Sequence, residues 1–384
     1  MKDKALRVAF VGGPAYDPLY GCLSGFSKLR GVPIDVGFQD THPALNAHLA
    51  SFENPPYDLV SAHSKYAASQ LSFLAAVPAR VQEKLLDFFP SALSLASIRR
   101  QLYGVPRNVD VRLLHYRTDC IAQPPDTWDA LLDVARRVNR PGEFYGFVFP
   151  GRDSGLFGTF FELAEMGGAR VFPESLIPEV DNEGGYWALD LLRRFYQEGL
   201  APAALPDWRF DEVHACFREG HVAMIGEWPG YHGLLTDAAR SRVADRFAIA
   251  KYPVGPSGRS LSYGGGHTFA LTRRGVARPE AIALLEWLTS REQQLEEARR
   301  GSAPVRRSVM EQVQLEALGP AAERWRCLED VIQNHILVPP KFEDYPAIEE
   351  ILWRSVQAAV VGRIPVREAL RDIETGIARR LRRA

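Results

Sequence analysis

The chain has 384 residues, enough for two or three domains, and 46% of them are hydrophobic, as in ordinary globular proteins. Its formal net charge is -1, so composition does not indicate bulk attraction to nucleic acid or to an anionic membrane. No segment approaches the roughly 18 apolar residues of a membrane-spanning helix. The four cysteines stand far apart and lack metal-ligand spacing. We therefore expect no metal and no cofactor.

The first third of the chain predicts strands that alternate with helices. Strands are expected over Leu6–Val11, Ile34–Phe38 and Tyr57–Ser61, and helices over Leu19–Leu29 and Ala44–Ser51. This alternation with short loops indicates a parallel sheet with right-handed crossovers. The carboxyl ends of parallel strands meet at one edge, where open α/β sheets hold their ligands. We therefore expect ligand contacts from the residues that follow these strands: Tyr16, Asp40, Thr41, His63 and Ser64.

The middle of the chain predicts a second group of strands and helices. An extended segment is expected over Val109–Tyr116, and a strand over Phe144–Phe149. The predicted helices of this part are Trp128–Asn139, Leu156–Met166 and Tyr186–Glu198.

Three polar residues of this middle part are candidates for ligand contact. Arg152 and Asp153 follow the predicted strand at the start of a helix, a position that favours anions. Asp153 could instead only cap that helix. Asn108 lies beside the extended segment, near a predicted crossing between domains, where it could contact a ligand or hold the hinge.

The segment Phe217–Leu234 is the centre of the predicted binding site. A buried strand over Val222–Ile225 is expected to break into a Gly/Pro turn that carries Glu227, Trp228 and Tyr231. Flat aromatic rings at a strand end suit the weakly apolar C–H faces of a sugar, and a carboxylate could accept from its hydroxyls. The alternatives are a Trp228 that only packs between domains and a solvated Glu227.

The last third predicts strands over Phe247–Ala250 and Thr268–Leu271 and a helix over Pro279–Leu288. Three glycines and a histidine precede the second strand, and glycine would let the backbone approach a ligand closely. Their alternatives are a flexible loop and a structural histidine. Further helices are expected at about Met310–Leu318, Ala321–Ile332, Ala347–Val361 and Pro365–Arg382. The remaining candidates for ligand contact are Gly264, Gly265, Gly266 and His267, and, more weakly, Arg307 and Tyr345.

Several stretches, in this order, resemble the extracellular solute-binding proteins of ABC importers, in the group that includes the maltose-binding proteins. Each stretch is weakly specific alone, but together they run in register along nearly the whole chain. They are 103–106 (YGVP), 113–119 (LLHYRTD), 124–128 (PPDTW), 165–168 (EMGG), 220–228 (GHVAMIGEW), 264–271, 285–292 (LEWLTSRE), 304–308 (PVRRS) and 353–377.

The resemblance implies an α/β fold of two lobes, each a mostly parallel sheet flanked by helices, with several hinge crossings and a ligand cleft between the lobes. It places the first lobe at 1–110 plus 259–304 and the second at 111–258 plus 305–384. The sequence departs from the family at Arg117, where the family usually has Asn. It also shows no signal peptide or lipobox cysteine, so a periplasmic or membrane-anchored location is implied by the family alone, and a cytoplasmic one stays open.

The predicted function is a non-enzymatic, monomeric binding protein that captures a carbohydrate, polyol or acidic sugar and delivers it to the permease subunits of an ABC importer. One alternative is a two-domain α/β enzyme that acts on a sugar derivative, with Glu227, Asp153, His267 and Asp40 as acid/base groups. Against it, the sequence has no GxSxG, Walker or HExxH motif, and Gly12-Gly13-Pro14 is not a dinucleotide fingerprint. A second alternative is a cytosolic solute sensor with the same fold.

Overall fold

The computed structural model describes residues 5–13, 16–175 and 177–382. The chain divides into two compact units. Unit 1 comprises Met1–Asp110, Gly264–Trp325 and Pro340–Glu343, and unit 2 comprises the ranges Val111–Tyr263, Arg326–Pro339 and Asp344–Ala384. Among the described residues, no helix is both long and apolar enough to span a membrane.

The secondary structure alternates between strands and helices along most of the chain. The strands are β1 (Leu6–Val11), β2 (Ile34–Asp40), β3 (Leu59–His63), β4 (Ser97–Ile98), β5 (Gln101–Leu102), β6 (Val105–Pro106), β7 (Asp110–Val111), β8 (Leu113–Arg117), β9 (Tyr145–Val148), β10 (Val222–Glu227), β11 (Phe247–Ala250), β12 (Ser262–Gly265), β13 (His267–Leu271) and β14 (Ile336–Leu337). The helices are α1 (Cys22–Arg30), α2 (His42–Ala50), α3 (Ala79–Gln82), α4 (Pro90–Ala96), α5 (Trp128–Val138), α6 (Asp153–Gly167), α7 (Glu183–Gln197), α8 (Phe210–Arg218), α9 (His232–Thr236), α10 (Pro279–Leu288), α11 (Arg291–Arg299), α12 (Arg307–Glu316), α13 (Pro320–Asp330), α14 (Tyr345–Val360) and α15 (Val366–Leu381).

Unit 1 is built on a sheet in the order β2-β1-β3-β13-β6. β1 runs parallel to both β2 and β3, whereas β13 runs antiparallel to β3 and to β6. The register pairs His267 at the start of β13 with His63 at the end of β3. The polar ends of two strands from distant parts of the chain therefore meet at the edge where the sequence predicts a ligand.

Unit 2 contains a sheet in the order β11-β8-β10-β9. β10 is parallel to β9 but antiparallel to β8, which is in turn antiparallel to β11. Helices α6, α7, α14 and α15 pack on one another through buried apolar faces. Both sheets are thus mixed, which corrects the prediction of mostly parallel sheets; β13 and β8 pair in the antiparallel sense with strands far away in sequence.

Most predicted elements match the observed ones to within a few residues, and α10 and β11 have the predicted bounds. The N-cap of α5 is Thr127, whose Oγ1 accepts a hydrogen bond from the Ala130 amide at 3.1 Å. The predicted extended segment is divided into β7 and β8. Helix α8 was recognised only at its charged end, and short helices such as α4 were not predicted because they lack a long periodic pattern.

The chain passes from unit 1 to unit 2 at Asp110/Val111 and returns to unit 1 at Tyr263/Gly264. Residues 305–325 belong to unit 1. Polar composition around Pro304 suggested a connector there, but Ala303 and Val305 are buried and α12 begins at Arg307. That these units act as the lobes of a binding protein stays a prediction.

We expect Gly151→Ala to destabilise the protein by about 2 kcal/mol or more, because a Cβ at this position would lie 1.8 Å from the Leu205 carbonyl oxygen. Gly21→Ala is the matched control, since its Cβ would meet no atom within 4 Å and its φ is -55°. Urea denaturation followed by circular dichroism would measure both. Equal stability of the two variants would contradict this account of the turn before Arg152.

Candidate functional site

Three histidines form an aromatic group at the edge of the unit 1 sheet where the sequence predicts a ligand. His63 ends β3, His267 begins β13, and His42 is the first residue of α2. The ring of His42 lies 4.5 Å from that of His63 and 5.4 Å from that of His267, and the His63 and His267 rings are 5.1 Å apart. Tyr16 contacts His267 at 5.1 Å, and Tyr66 contacts His42 at 5.0 Å. We call these five residues the histidine surface.

The histidines of this surface are uncharged at neutral pH. Burial, together with a smaller contribution from the nearby charge of Arg107, lowers the pKa of His267 to about 3. Burial likewise lowers the pKa values of His42 and His63 well below their ordinary range, with smaller contributions from neighbouring charges such as Lys65. Each ring therefore offers one N–H donor and one nitrogen acceptor.

A buried arginine lies behind the histidine surface. Arg107 is only 1% exposed, and its guanidinium carbon lies 5.4 Å from the centre of the Tyr16 ring. Its Nε is 3.2 Å from both carboxylate oxygens of Glu297, and its Nη1 donates to the Tyr20 hydroxyl at 2.8 Å. Glu297 thus neutralises most of the charge that Arg107 brings into the interior.

Some buried polar atoms of this region have no partner among the described residues. They are His42 Nε2, Ser64 Oγ and Arg107 Nη2. Leaving a buried polar group unsatisfied costs about 1–3 kcal/mol. Such groups are therefore uncommon in native proteins unless a water or a ligand binds them.

Asn108 fixes the backbone beside the histidine surface. Its Oδ1 accepts from the His267 amide at 3.0 Å, and its Nδ2 donates to Asp110 Oδ2 at 2.8 Å. Burial raises the pKa of Asp110 to about 7, although the bond from Asn108 and the charge of Arg107 oppose this. A Cβ on Gly266 would lie 2.5 Å from the Asn108 carbonyl oxygen. The close approach of the Asn108 carbonyl group therefore explains why residue 266 is a glycine.

Unit 2 carries a second aromatic group, at the end of β10. The half-buried ring of Trp228 lies 5.4 Å from Phe210 and 6.4 Å from Tyr263, edge to face in both cases. The guanidinium carbon of Arg112 lies 5.4 Å from the centre of the Trp228 ring. Trp228, Phe210 and Arg112 form what we call the tryptophan surface.

Arg112 is 1% exposed and fully paired within unit 2. Its Nε and Nη2 donate to the two oxygens of Glu162 at 3.1 and 2.6 Å, and its Nη1 donates to Thr159 Oγ1 at 2.8 Å. Glu162 also accepts from the Tyr263 amide at 2.6 Å. This network fixes the cation on which the indole ring of Trp228 lies.

Glu227 holds the turn that carries Trp228. One of its carboxylate oxygens accepts from the Trp228 amide at 2.8 Å, and the other lies 2.8 Å from Nδ1 of the buried His214. Burial raises the pKa of Glu227 despite these two hydrogen bonds. Tyr231 packs its ring 4.4 Å from that of His214 and donates its hydroxyl to Asp211 at 2.7 Å. Glu227 is thus buried and paired rather than solvated, and its contact with solute hydroxyls stays a prediction.

The remaining predicted residues have other surroundings. Asp153 is the first residue of α6, with φ at 54°, and its carboxylate accepts from Arg209 at 2.6 Å. The alternative that Asp153 caps the helix is therefore wrong. The cap position is occupied by Arg152, whose side chain makes no capping hydrogen bond.

The two weaker candidates, Arg307 and Tyr345, have contacts within the protein. Arg307 is exposed and donates to the Leu86 carbonyl at 2.7 Å, which ties α12 to the preceding loop. Tyr345 is fully buried against Phe157 and Phe172.

Asp40 and Thr41 are exposed at the end of β2, and Asp40 accepts from the Thr41 amide at 2.6 Å. Gly264 and Gly265 are buried in β12. Ligand contact by these residues, and by the members of the two surfaces, stays a prediction.

Sequence reasoning missed several residues of the two surfaces. His42 is not among the predicted contacts, although its place two residues after the end of β2 points to the same edge. Arg107 and Arg112 were overlooked, although an arginine within a run of buried strand residues is unusual. Phe210 and His214 lie on α8, which was not recognised in full. The family departure at Arg117 is explained by its ion pair with Asp119 and a 3.2 Å bond to the Gly220 carbonyl.

Within the described residues, no group of three His, Cys, Asp or Glu side chains is arranged to hold a metal ion. For the histidine surface a local reason is visible. The Lys65 amide donates to Nδ1 of His63 at 3.2 Å, so this nitrogen is occupied and Nε2 carries the proton of the neutral ring.

The lowered pKa of His267 predicts how the stability of the protein depends on pH. Its pKa of about 3 lies below the ordinary 6.5, so the unfolded chain binds a proton that the folded chain excludes. The stability that wild type has over His267→Gln should therefore fall by about 1.4 kcal/mol per pH unit below about pH 6. Urea unfolding of both proteins at pH 7, 6, 5 and 4 would measure this difference in unfolding free energy. Buried carboxyl groups change stability with pH in the opposite direction, but they are present in both proteins, so their contribution cancels in the difference. A constant difference would contradict it.

The buried Arg112–Glu162 ion pair predicts a loss of stability when one of its charges is removed. We expect Glu162→Gln to destabilise the protein by about 3 kcal/mol, because it leaves a buried cation unpaired. The double variant Arg112→Met, Glu162→Met should recover much of that loss. The exposed pair of Arg136 and Glu198 is the control, and Glu198→Gln should cost less than about 1 kcal/mol. Thermal unfolding measures stability, and Trp228 emission should shift only in the Arg112 and Glu162 variants.

Residues 45–295 match the model of a family described as bacterial extracellular solute-binding protein. A probable ABC transporter-binding protein of Deinococcus radiodurans is 27% identical over 219 residues, which cover 54% of this chain and 51% of that protein. The chain thus spans about half the length of the first curated relatives that it matches. A probable amino-acid ABC transporter periplasmic-binding protein of Sinorhizobium fredii is 24% identical over 98% of this chain and 89% of its own length.

Solved structures share the fold over nearly the whole chain. A maltose-bound protein of T. maritima superposes with a TM-score of 0.86 at 22% identity, covering 97% of this chain and 99% of that one. A ribitol-bound ABC transporter solute-binding protein of Agrobacterium radiobacter gives 0.85 at 21% identity, with 97% and 98% covered. At these identities the likeness establishes the α/β fold of periplasmic binding proteins. Since the family model covers more than half of the 384 residues, the chain belongs to the bacterial extracellular solute-binding proteins, a family of binding proteins rather than enzymes.

Proposed function

We propose that the chain is the solute-binding component of an ABC importer and that its solute is a small carbohydrate or polyol. We infer the class of solute from the side chains that form the histidine surface and the tryptophan surface. Each presents aromatic rings, and the buried arginine behind each is already paired with a glutamate. Flat rings beside hydrogen-bonding groups suit a molecule with C–H faces and many hydroxyls.

The names of related proteins support this proposal. A relative in Bacillus subtilis, 26% identical over 43% of this chain, is a galactooligosaccharide-binding protein. Structures of similar fold carry maltose, ribitol or D-mannitol. The partner that this function requires is a permease in the bacterial membrane, and the place of action is outside the cytoplasm, as the family description states for its members.

The relative from Sinorhizobium fredii favours a different solute, an amino acid. An amino acid carries both an ammonium and a carboxylate group, and each needs an opposite charge when it is removed from water. The histidines here are neutral, and Glu297 and Glu162 already hold the two buried arginines. We therefore place amino acids second and include them in the test.

A thermal-shift screen against sugars, polyols and amino acids tests the proposal. A solute present at 100 times its Kd should stabilise the protein by about 2.7 kcal/mol. We expect a selective shift that is lost in Trp228→Ala. Trp287→Ala is the matched control, since Trp287 packs on Phe26 in unit 1, outside both surfaces, and this variant should keep the shift. Absence of any shift, together with turnover of a sugar derivative, would contradict the proposal.

A further inference from the structure

We infer that the histidine surface binds an uncharged, polyhydroxylated solute through direct hydrogen bonds between solute hydroxyls and its imidazole nitrogens. The inference rests on the proposed function and narrows it, because it excludes sugar acids, amino sugars and amino acids as the solute. It is carried by the tautomer of His63, by the polar atoms near it that have no partner among the described residues, and by the charges around them.

The hydrogen-bonding direction of His63 follows from its backbone contact. Nδ1 accepts from the Lys65 amide at 3.2 Å, so the neutral ring bears its proton on Nε2. His63 is only half-buried, so this N–H can donate to a solute oxygen. Its neighbour His42 is 4.5 Å away, ring to ring, and has a buried Nε2 without a partner among the described residues.

The other unsatisfied atoms of this region complete a mixed set of donors and acceptors. Ser64 follows His63 in the chain, is 1% exposed, and its hydroxyl has no partner among the residues described. Arg107 Nη2 is also buried and can only donate. A hydroxyl group donates one hydrogen bond and accepts two, so several adjacent hydroxyls can satisfy such a mixed set, whereas an ammonium group can only donate.

The charges around the surface disfavour a charged solute. An ammonium group would meet three neutral rings, and the nearby carboxylate of Glu297 already holds Arg107. A carboxylate would have to share the Arg107 guanidinium with Glu297, which already lies 3.2 Å from Nε, and would lie near Asp110. Two carboxylates on one buried guanidinium repel each other, while a neutral hydroxyl oxygen accepts from Nη2 without that cost.

Isothermal titration with matched solutes tests the charge selectivity. The panel holds D-mannitol, ribitol and maltose, the acids D-mannonate and D-gluconate, the amine D-glucosamine, and the amino acids glutamate, lysine and leucine. We expect binding by at least one neutral member and at least 100-fold weaker binding by its acid or amine. Binding only by a charged member would overturn the inference and leave the proposed importer function intact. Binding by no member would overturn both the inference and the proposed solute class.

Two pairs of variants test the atoms, using the neutral solute that binds. Ser64→Ala removes a hydroxyl without a partner among the described residues, so the solute-free protein should be no less stable while affinity falls several-fold. The control Ser308→Ala removes a hydroxyl that donates to Asp87 at 2.6 Å, and should lower stability without changing affinity. If Ser64→Ala instead lowers stability and leaves affinity unchanged, its hydroxyl is structural and the inference fails.

The second pair separates the two nitrogens of His63. His63→Asn keeps an acceptor for the Lys65 amide but loses the outer donor, whereas His63→Gln keeps a donor near the Nε2 position. We expect about a tenfold loss of affinity in the Asn variant and less than a threefold loss in the Gln variant. His48→Asn, at a histidine that stacks on Phe38 outside the surface, should bind as wild type does. Equal losses in both His63 variants, with unchanged unfolding midpoints, would overturn the assigned donor.

Discussion

Burial of a paired arginine is the interaction on which both candidate surfaces depend. In unit 1, Arg107 is paired with Glu297 beneath Tyr16, and in unit 2, Arg112 is paired with Glu162 beneath Trp228. A guanidinium that is 1% exposed is stable only where a carboxylate and further acceptors surround it. Such an arginine–carboxylate pair allows only a narrow range of distances and angles. The pair therefore also fixes the position of the aromatic ring that lies against the guanidinium.

The two arginines come from one short stretch of chain. Arg107 and Arg112 stand on either side of the Asp110/Val111 crossing, so the same segment delivers one buried cation to each unit. Their carboxylate partners come from helices α11 and α6, far away in sequence. Each pair therefore ties the crossing segment to the core of its own unit, and each carries one of the candidate surfaces.

The buried charges of the two surfaces are used in pairs, which leaves neutral groups available for contact with the proposed solute. The histidines are kept uncharged by burial, and the turn that bears Trp228 is held by the carboxylate of Glu227 rather than by the solute. Family membership does not fix the solute, since the relatives are named for solutes as different as amino acids and galactooligosaccharides. Our proposal therefore attributes the choice of solute to the side chains of the two surfaces.

The sequence by itself determined the family, the class of fold and the places where strands end. Local patterns suffice for this, because the apolar run Val222–Ile225 and the Gly/Pro turn after it specify a strand and its end without reference to the rest of the chain. Such patterns place Trp228 and His63 at strand ends and His267 at a strand start, where the structure has them. Only the tertiary structure decided which residues meet: His42 joins His63 and His267, and Arg107 and Arg112 find carboxylates on distant helices. The physical reason is that burial and pairing of charge depend on contacts between residues remote in sequence, and a single sequence carries no local signal for them.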